Sequence, residues 1–115
     1  MITIEQLKEI QQRAEKLKQY LAIDEKRVQL EEEELRTQDP GFWEDAKAAE
    51  AQMRKVKGIK AWIEGYDGVR AATEELQLAF DYCKEELVTE DEVDAAYAHA
   101  LKEVEDLEMK NMLSH

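Results

Sequence analysis

An apolar stripe over residues 45–87 constrains this chain more than any other feature. Ala49, Met53, Val56, Ile59, Ile63, Tyr66 and Val69 are followed by Leu76, Phe80, Cys83 and Leu87, with Thr73 as the one polar member. Most steps are three or four residues, the spacing that keeps side chains on one side of an α-helix. At about 1.5 Å per residue such a helix is roughly 60 Å long. It cannot bury its stripe on itself, so the rest of the chain must lie along it. Gly58, Gly65 and Gly68 each cost about 1 kcal/mol relative to Ala in a helix interior. The stripe nevertheless holds its phase across Gly65-Tyr66-Asp67-Gly68, which predicts a continuous helix, with two helices of about 20 residues as the alternative.

Two further helices are written on either side. Thr3 with Gln6 three residues on is a capping-box pattern. The seam that follows runs Leu7, Ile10, Ala14, Leu17, Leu21, Asp24, Val28, Glu31, Leu35. Its second half alternates with acids, so the first half should be the better enclosed. Ile23 and Leu30 open a second stripe on a neighbouring face and mark a bend near residues 20–24. The acids at 31–34 point in four directions and read as a solvated face, not a metal site. Pro40 ends this helix, because the residue before a proline leaves helical geometry. Thr89-Glu90-Asp91-Glu92 is a second capping box with three acids at the positive end of the helix dipole. Val93, Tyr97, Ala100, Val104 and Leu107 continue the stripe behind it.

The predicted fold is all-α: one domain of three antiparallel helices, about 3–36, 45–87 and 90–112, with coiled-coil-like packing. The third helix covers only about 33 Å of the second. A three-helix section should therefore contain the start of the first helix, the end of the second and all of the third. The remainder should be a two-helix arm ending at residues 40–43. There Asp39-Pro40-Gly41 makes a turn, Asp45 caps the next helix, and Phe42 and Trp43 stand side by side. Those aromatics either plug the open end of the helix pair or present a contact to a partner.

The net charge of −12 is unevenly spread, with eight acids and two bases in 88–115 alone. This argues against general nucleic-acid coating, which needs a basic footprint, but not against one local contact. Arg54, Lys55, Lys57 and Lys60 are four bases in a window without an acid. They are either a solvated face with lysine stems over the seam or a small phosphate-contacting patch. Cys83 stands alone, so no intramolecular disulfide or cysteine metal cluster is available; on the stripe it reads as a core hydrophobe. No apolar run of 18 residues occurs, and the first residues lack a signal-peptide core, so the expected compartment is the cytoplasm.

Catalytic chemistry is not visible. His99 is the only internal histidine, and position 96 is Ala, so the Glu-x-x-His of di-iron bundles is missing. There is no Gly-rich phosphate loop and no Ser or Cys with a plausible basic partner. The chain is expected to be no enzyme and to need no cofactor.

Several segments together resemble the N-terminal helical domain of the bacterial peptide chain release factor 2 family, over essentially the whole chain. They are Leu17-Lys-Gln-Tyr-Leu21 with Asp24-Glu-Lys-Arg27, Leu30-Glu-Glu-Glu-Glu-Leu35, Asp39-Pro-Gly-Phe-Trp-Glu-Asp45 with Ala-Lys-Ala-Ala-Glu, and Leu107-Glu-Met-Lys-Asn-Met-Leu113. The resemblance implies a part in translation termination at UGA and UAA by docking on the ribosome, beside the large-subunit stalk base and near the release-factor GTPase. The family's Gly-Gly-Gln and Ser-Pro-Phe tripeptides do not occur here, so the resemblance implies a fragment whose catalytic and codon-reading domains lie beyond residue 115. It carries over no catalytic residue and implies no membrane. The candidate ribosome contact is Trp43 with Arg54, Lys55, Lys57 and Lys60. The alternative is a free-standing acidic coiled-coil adaptor or oligomerisation module.

Overall fold

The computed structural model describes residues 1–115, and every regular element is a helix. The elements are α1 (Ile4–Tyr20), α2 (Ile23–Arg36), a 3-10 turn (Phe42–Glu44), α3 (Ala46–Lys84) and α4 (Glu90–Leu113). The all-α expectation holds, with four α-helices in place of three. Both predicted capping boxes are formed: Gln6 N–H donates to Thr3 Oγ1 and Glu92 N–H to Thr89 Oγ1, each side chain answering in return. Asp45 caps α3 by accepting from the Ala48 N–H at 3.1 Å. No helix is long and apolar enough to cross a membrane.

The expected first helix is two helices, because Ala22 adopts the left-handed region (φ 49°, ψ 53°). Leu21 and Ile23, two residues apart, would face nearly opposite sides of an uninterrupted helix. The left-handed residue turns both inward, and both are buried. The second stripe is consequently the inner one. Ile23, Lys26, Leu30 and Glu33 face inward to differing degrees, while Asp24, Val28, Glu31 and Leu35, the predicted seam, are exposed. The expected bend is real, but the helix beyond it presents a different face.

The chain divides into two compact units, Met1–Leu21 with Gly65–His115, and Ala22–Glu64. The first is the three-helix section. Leu7, Ile10, Ala14 and Leu17 of α1 are buried there, as are Tyr66, Val69, Ala72, Leu76 and Phe80 of α3 and Val93, Ala100, Val104 and Leu107 of α4. Thr73 is buried without loss, its hydroxyl donating to the Val69 carbonyl at 3.0 Å. Arg13 clamps α1 to α4 through two hydrogen bonds to Glu108, 2.6 and 3.1 Å. Gly65 and Gly68 are there for close approach: a Cβ would come within 3.1 Å of Leu107 Cδ1 at one and of Glu103 Oε2 at the other. α3 therefore stays continuous across them.

α3 stops at Lys84, three residues short of the predicted end. Glu86 takes a positive φ of 60°. The Leu87 N–H then bonds the Tyr82 carbonyl and the Glu86 N–H the Cys83 carbonyl, the paired bonds of a Schellman motif. Leu87 leaves the stripe and is 67% exposed.

The second unit holds α2, the turn and the first part of α3. Its core is Ile23, Ala49, Val56, Ile59 and Ile63. Met53, predicted on the stripe, is exposed, and Gln52 takes the inward position in its stead. The cause is Glu33, whose buried carboxylate needs a donor. Gln52 Nε2 donates to Glu33 Oε2 at 2.7 Å and to the Glu33 carbonyl at 2.9 Å.

Candidate functional site

The five residues singled out from the sequence all fall in the second unit, and local chemistry places each. Pro40 and Gly41 reverse the chain, and the 3-10 turn over Phe42–Glu44 sets the two aromatics edge to face, ring centroids 4.6 Å apart. Phe42 is half-buried and lines a shallow groove of about 390 Å³ with Arg36, Asp39, Asp45 and Gln52. Trp43 is 67% exposed. The plug reading thus describes Phe42 alone, and Trp43 is offered to the surroundings.

The four bases do not form one patch. On α3 the buried positions Ala49, Val56, Ile59 and Ile63 define the inner side, and Arg54 and Lys57 stand away from it. Lys55 and Lys60 lie at its two borders. Lys55 Nζ is 3.2 Å from Glu33 Oε1, and Lys60 Nζ is 3.7 Å from Glu34 Oε2. These two lysines bridge to α2, as the solvated-face reading supposed. Arg54 pairs only with Glu50, one turn back at 2.9 Å, with both side chains 72% exposed. Lys57 has no carboxylate partner.

Sequence reasoning missed Glu33, hidden in a run of four acids. It accepts from Gln52 and Lys55, with Arg36 Nε at 3.8 Å. The Gln52 hydrogen bond and then Lys55 hold its carboxyl below the ordinary value of 4.5, against the opposing effect of burial. The one legible signal was its phase, since Ile23, Leu30 and Glu33 share a face. A carboxyl whose pKa is lowered on folding adds stability above its unfolded value, and that stability is lost as pH falls through the folded value. Glu33→Gln is therefore expected to lower the urea midpoint at pH 7, by a difference that shrinks as pH falls through the lowered folded-state value of Glu33. A difference that persists unchanged at pH 3 would show that the charge is not what matters.

Nothing here converges as an active site. No group of three or more His, Cys, Asp or Glu side chains is gathered for a metal ion. The arrangement can pair α2 with α3 and offer exposed cations and one indole.

Known proteins give the context. The chain is 31% identical over 115 residues to peptide chain release factor 2 of Pseudoalteromonas translucida, covering 96% of this chain and 31% of that protein. It is 34% identical over 110 residues to the same factor of Acidithiobacillus ferrooxidans (92% and 30%), and 31% identical over 113 residues to that of Burkholderia pseudomallei (95% and 30%). The chain is homologous to peptide chain release factor 2. It spans about 30% of the length of these release factor 2 relatives, the extent of an N-terminal domain. No family model and no solved structure matches the chain.

Proposed function

We propose that this chain serves translation termination as the N-terminal helical domain of a release factor 2-type protein, docking on the ribosome at UGA and UAA stop codons in the cytoplasm. Homology to release factor 2 over 92–96% of the chain carries this reading. Its place is beside the large-subunit stalk base, within reach of the release-factor GTPase. Exposed Trp43 with Arg54 and Lys57 supplies the contact, Lys55 and Lys60 being engaged by the acids of α2. In this reading the domain takes no catalytic part itself.

The test is co-sedimentation of the chain with 70S ribosomes halted at UGA. Saturable binding that full-length release factor 2 competes away is expected, together with no release of peptide. Changing all four bases to Gln should weaken binding and flatten its dependence on salt. Stop-codon-dependent hydrolysis by the chain alone would refute the non-catalytic role. Failure to sediment, with self-association in its place, would favour an oligomerisation module.

A further inference from the structure

The structure sorts the bases of α3 in a way the sequence window does not. Lys55 and Lys60 are engaged by Glu33 and Glu34. On the opposite side of α3, Lys47, Arg54 and Lys57 are exposed within 11 residues, with Glu50 as the one acid among them. Neither Lys47 nor Lys57 has a carboxylate partner. No acid occurs anywhere over 51–63. At a rise of about 1.5 Å per residue the three cations span about 15 Å along the helix, in a chain whose net charge is −12.

Ala51 and Gly58, both exposed, lie beside Lys47 and Arg54 on the same face. Gly58 differs from the other two helical glycines, because a Cβ there would meet nothing within 4 Å. No packing requirement explains a helix-weakening residue at this point. Its effect is to leave the backbone open to anything that approaches beside Arg54.

We propose that this outward face of α3, with Lys47, Arg54 and Lys57 disposed about Gly58, seats the phosphate backbone of structured RNA. The proposal rests on the ribosome-docking reading above and narrows it to one side of one helix, leaving Lys55 and Lys60 to hold α2. Lysines act on phosphates as point charges, and spaced cations suit a repeating anion. A protein partner is the poorer fit, since protein interfaces are anchored by large side chains entering pockets. Here the face of Lys47 and Arg54 is completed by Ala51 and Gly58, which offer no such anchor.

The experiment compares the wild-type chain with two variants in binding to 70S ribosomes across 50–200 mM KCl. In Lys47→Gln/Arg54→Gln/Lys57→Gln the salt slope should fall by roughly two to three units, at about 0.7–0.9 per phosphate contact. Affinity at low salt should fall about ten-fold or more. Lys55→Gln/Lys60→Gln should change the slope by less than about one unit. Gly58→Leu, which has room in the folded chain, should weaken binding while leaving the circular-dichroism melting curve cooperative. A benzophenone amino acid in place of Glu50 should crosslink to material that ribonuclease, not protease, removes. An unchanged triple variant, a slope carried by Lys55 and Lys60, or a protein crosslink overturns the proposal while the docking reading stands. If the wild type itself does not bind ribosomes, both fall together.

Discussion

Replacing Leu17 by aspartate is expected to unfold the three-helix section, while the same change at Val28 is nearly silent. Leu17 is 3% exposed in the core shared by α1, α3 and α4, whereas Val28 on α2 is 58% exposed. A carboxylate at position 17 would be buried against the apolar core, and the nearby Arg13 is already committed to Glu108. Forcing it there, or neutralising it to fit, costs about 3 kcal/mol or more. At position 28 it stays in water. It gains only like-charge neighbours one turn away at Asp24, Glu25, Glu31 and Glu32, an effect of about 0.2–0.5 kcal/mol for each pair. Urea titration followed at 222 nm should show the Leu17 variant unfolded or with its midpoint sharply lowered, and the Val28 variant close to wild type. Equal losses would mean that α2 buries its Val28 face after all.

Ala22 should respond with opposite signs to proline and to glycine. Its φ of 49° lies where an alanine Cβ crowds the following carbonyl, at a cost of about 1–2 kcal/mol. Glycine has no Cβ, so Ala22→Gly should stabilise the fold by about 0.5–1 kcal/mol after the added freedom of the unfolded chain is counted. Proline cannot reach positive φ. It also disfavours the helical conformation of the residue before it, and Leu21 is helical at φ −86° and ψ −4°. Ala22→Pro should therefore cost about 3 kcal/mol or more, because Leu21 and Ile23 could no longer both turn inward. Thermal melts of the two variants on either side of wild type are the expected result. A neutral proline would show that the junction does not need its left-handed residue.

The legible parts of this fold are those written in chemistry local to the sequence. Thr3 with Gln6 and Thr89 with Glu92 mark two helix starts because a hydroxyl and a carboxyl or amide three residues apart can only close on each other at an N-terminus. The 45–87 stripe identified the shared helix, and Gly65 and Gly68 within it did not mislead, because they relieve contacts from α4. The misread parts turn on conformations without a residue signature. Alanine at 22 and glutamate at 86 occupy a backbone region that glycine or asparagine would have announced. Helix ends at both places were consequently placed late or missed. Glu33 was one of four identical acids, and only a three-dimensional partner distinguishes it from Glu31, Glu32 and Glu34. The basic window was visible by composition, but a linear window cannot separate residues that bridge to α2 from those that face away.

The distances along the chain between paired residues also set an order of assembly. Glu33 meets Gln52 across 19 residues, while Gln11 meets Gln77 across 66 and Arg13 meets Glu108 across 95. Closing the longer of these loops costs about 1.4 kcal/mol more than closing the shortest, by the logarithmic dependence on loop length. The α2–α3 hairpin can therefore close as soon as the start of α3 has been made. Residues 4–20, although first to be synthesised, must wait for α4, the last helix. In kinetic terms α1 should dock after the rate-limiting step. Truncations along its buried face, Leu7→Ala and Ile10→Ala, should speed unfolding and leave refolding nearly unchanged, whereas Ile59→Ala should slow refolding. The reverse pattern in stopped-flow measurements would place the nucleus between the chain's two ends. Until α4 emerges, a newborn chain would then carry an exposed α1 stripe.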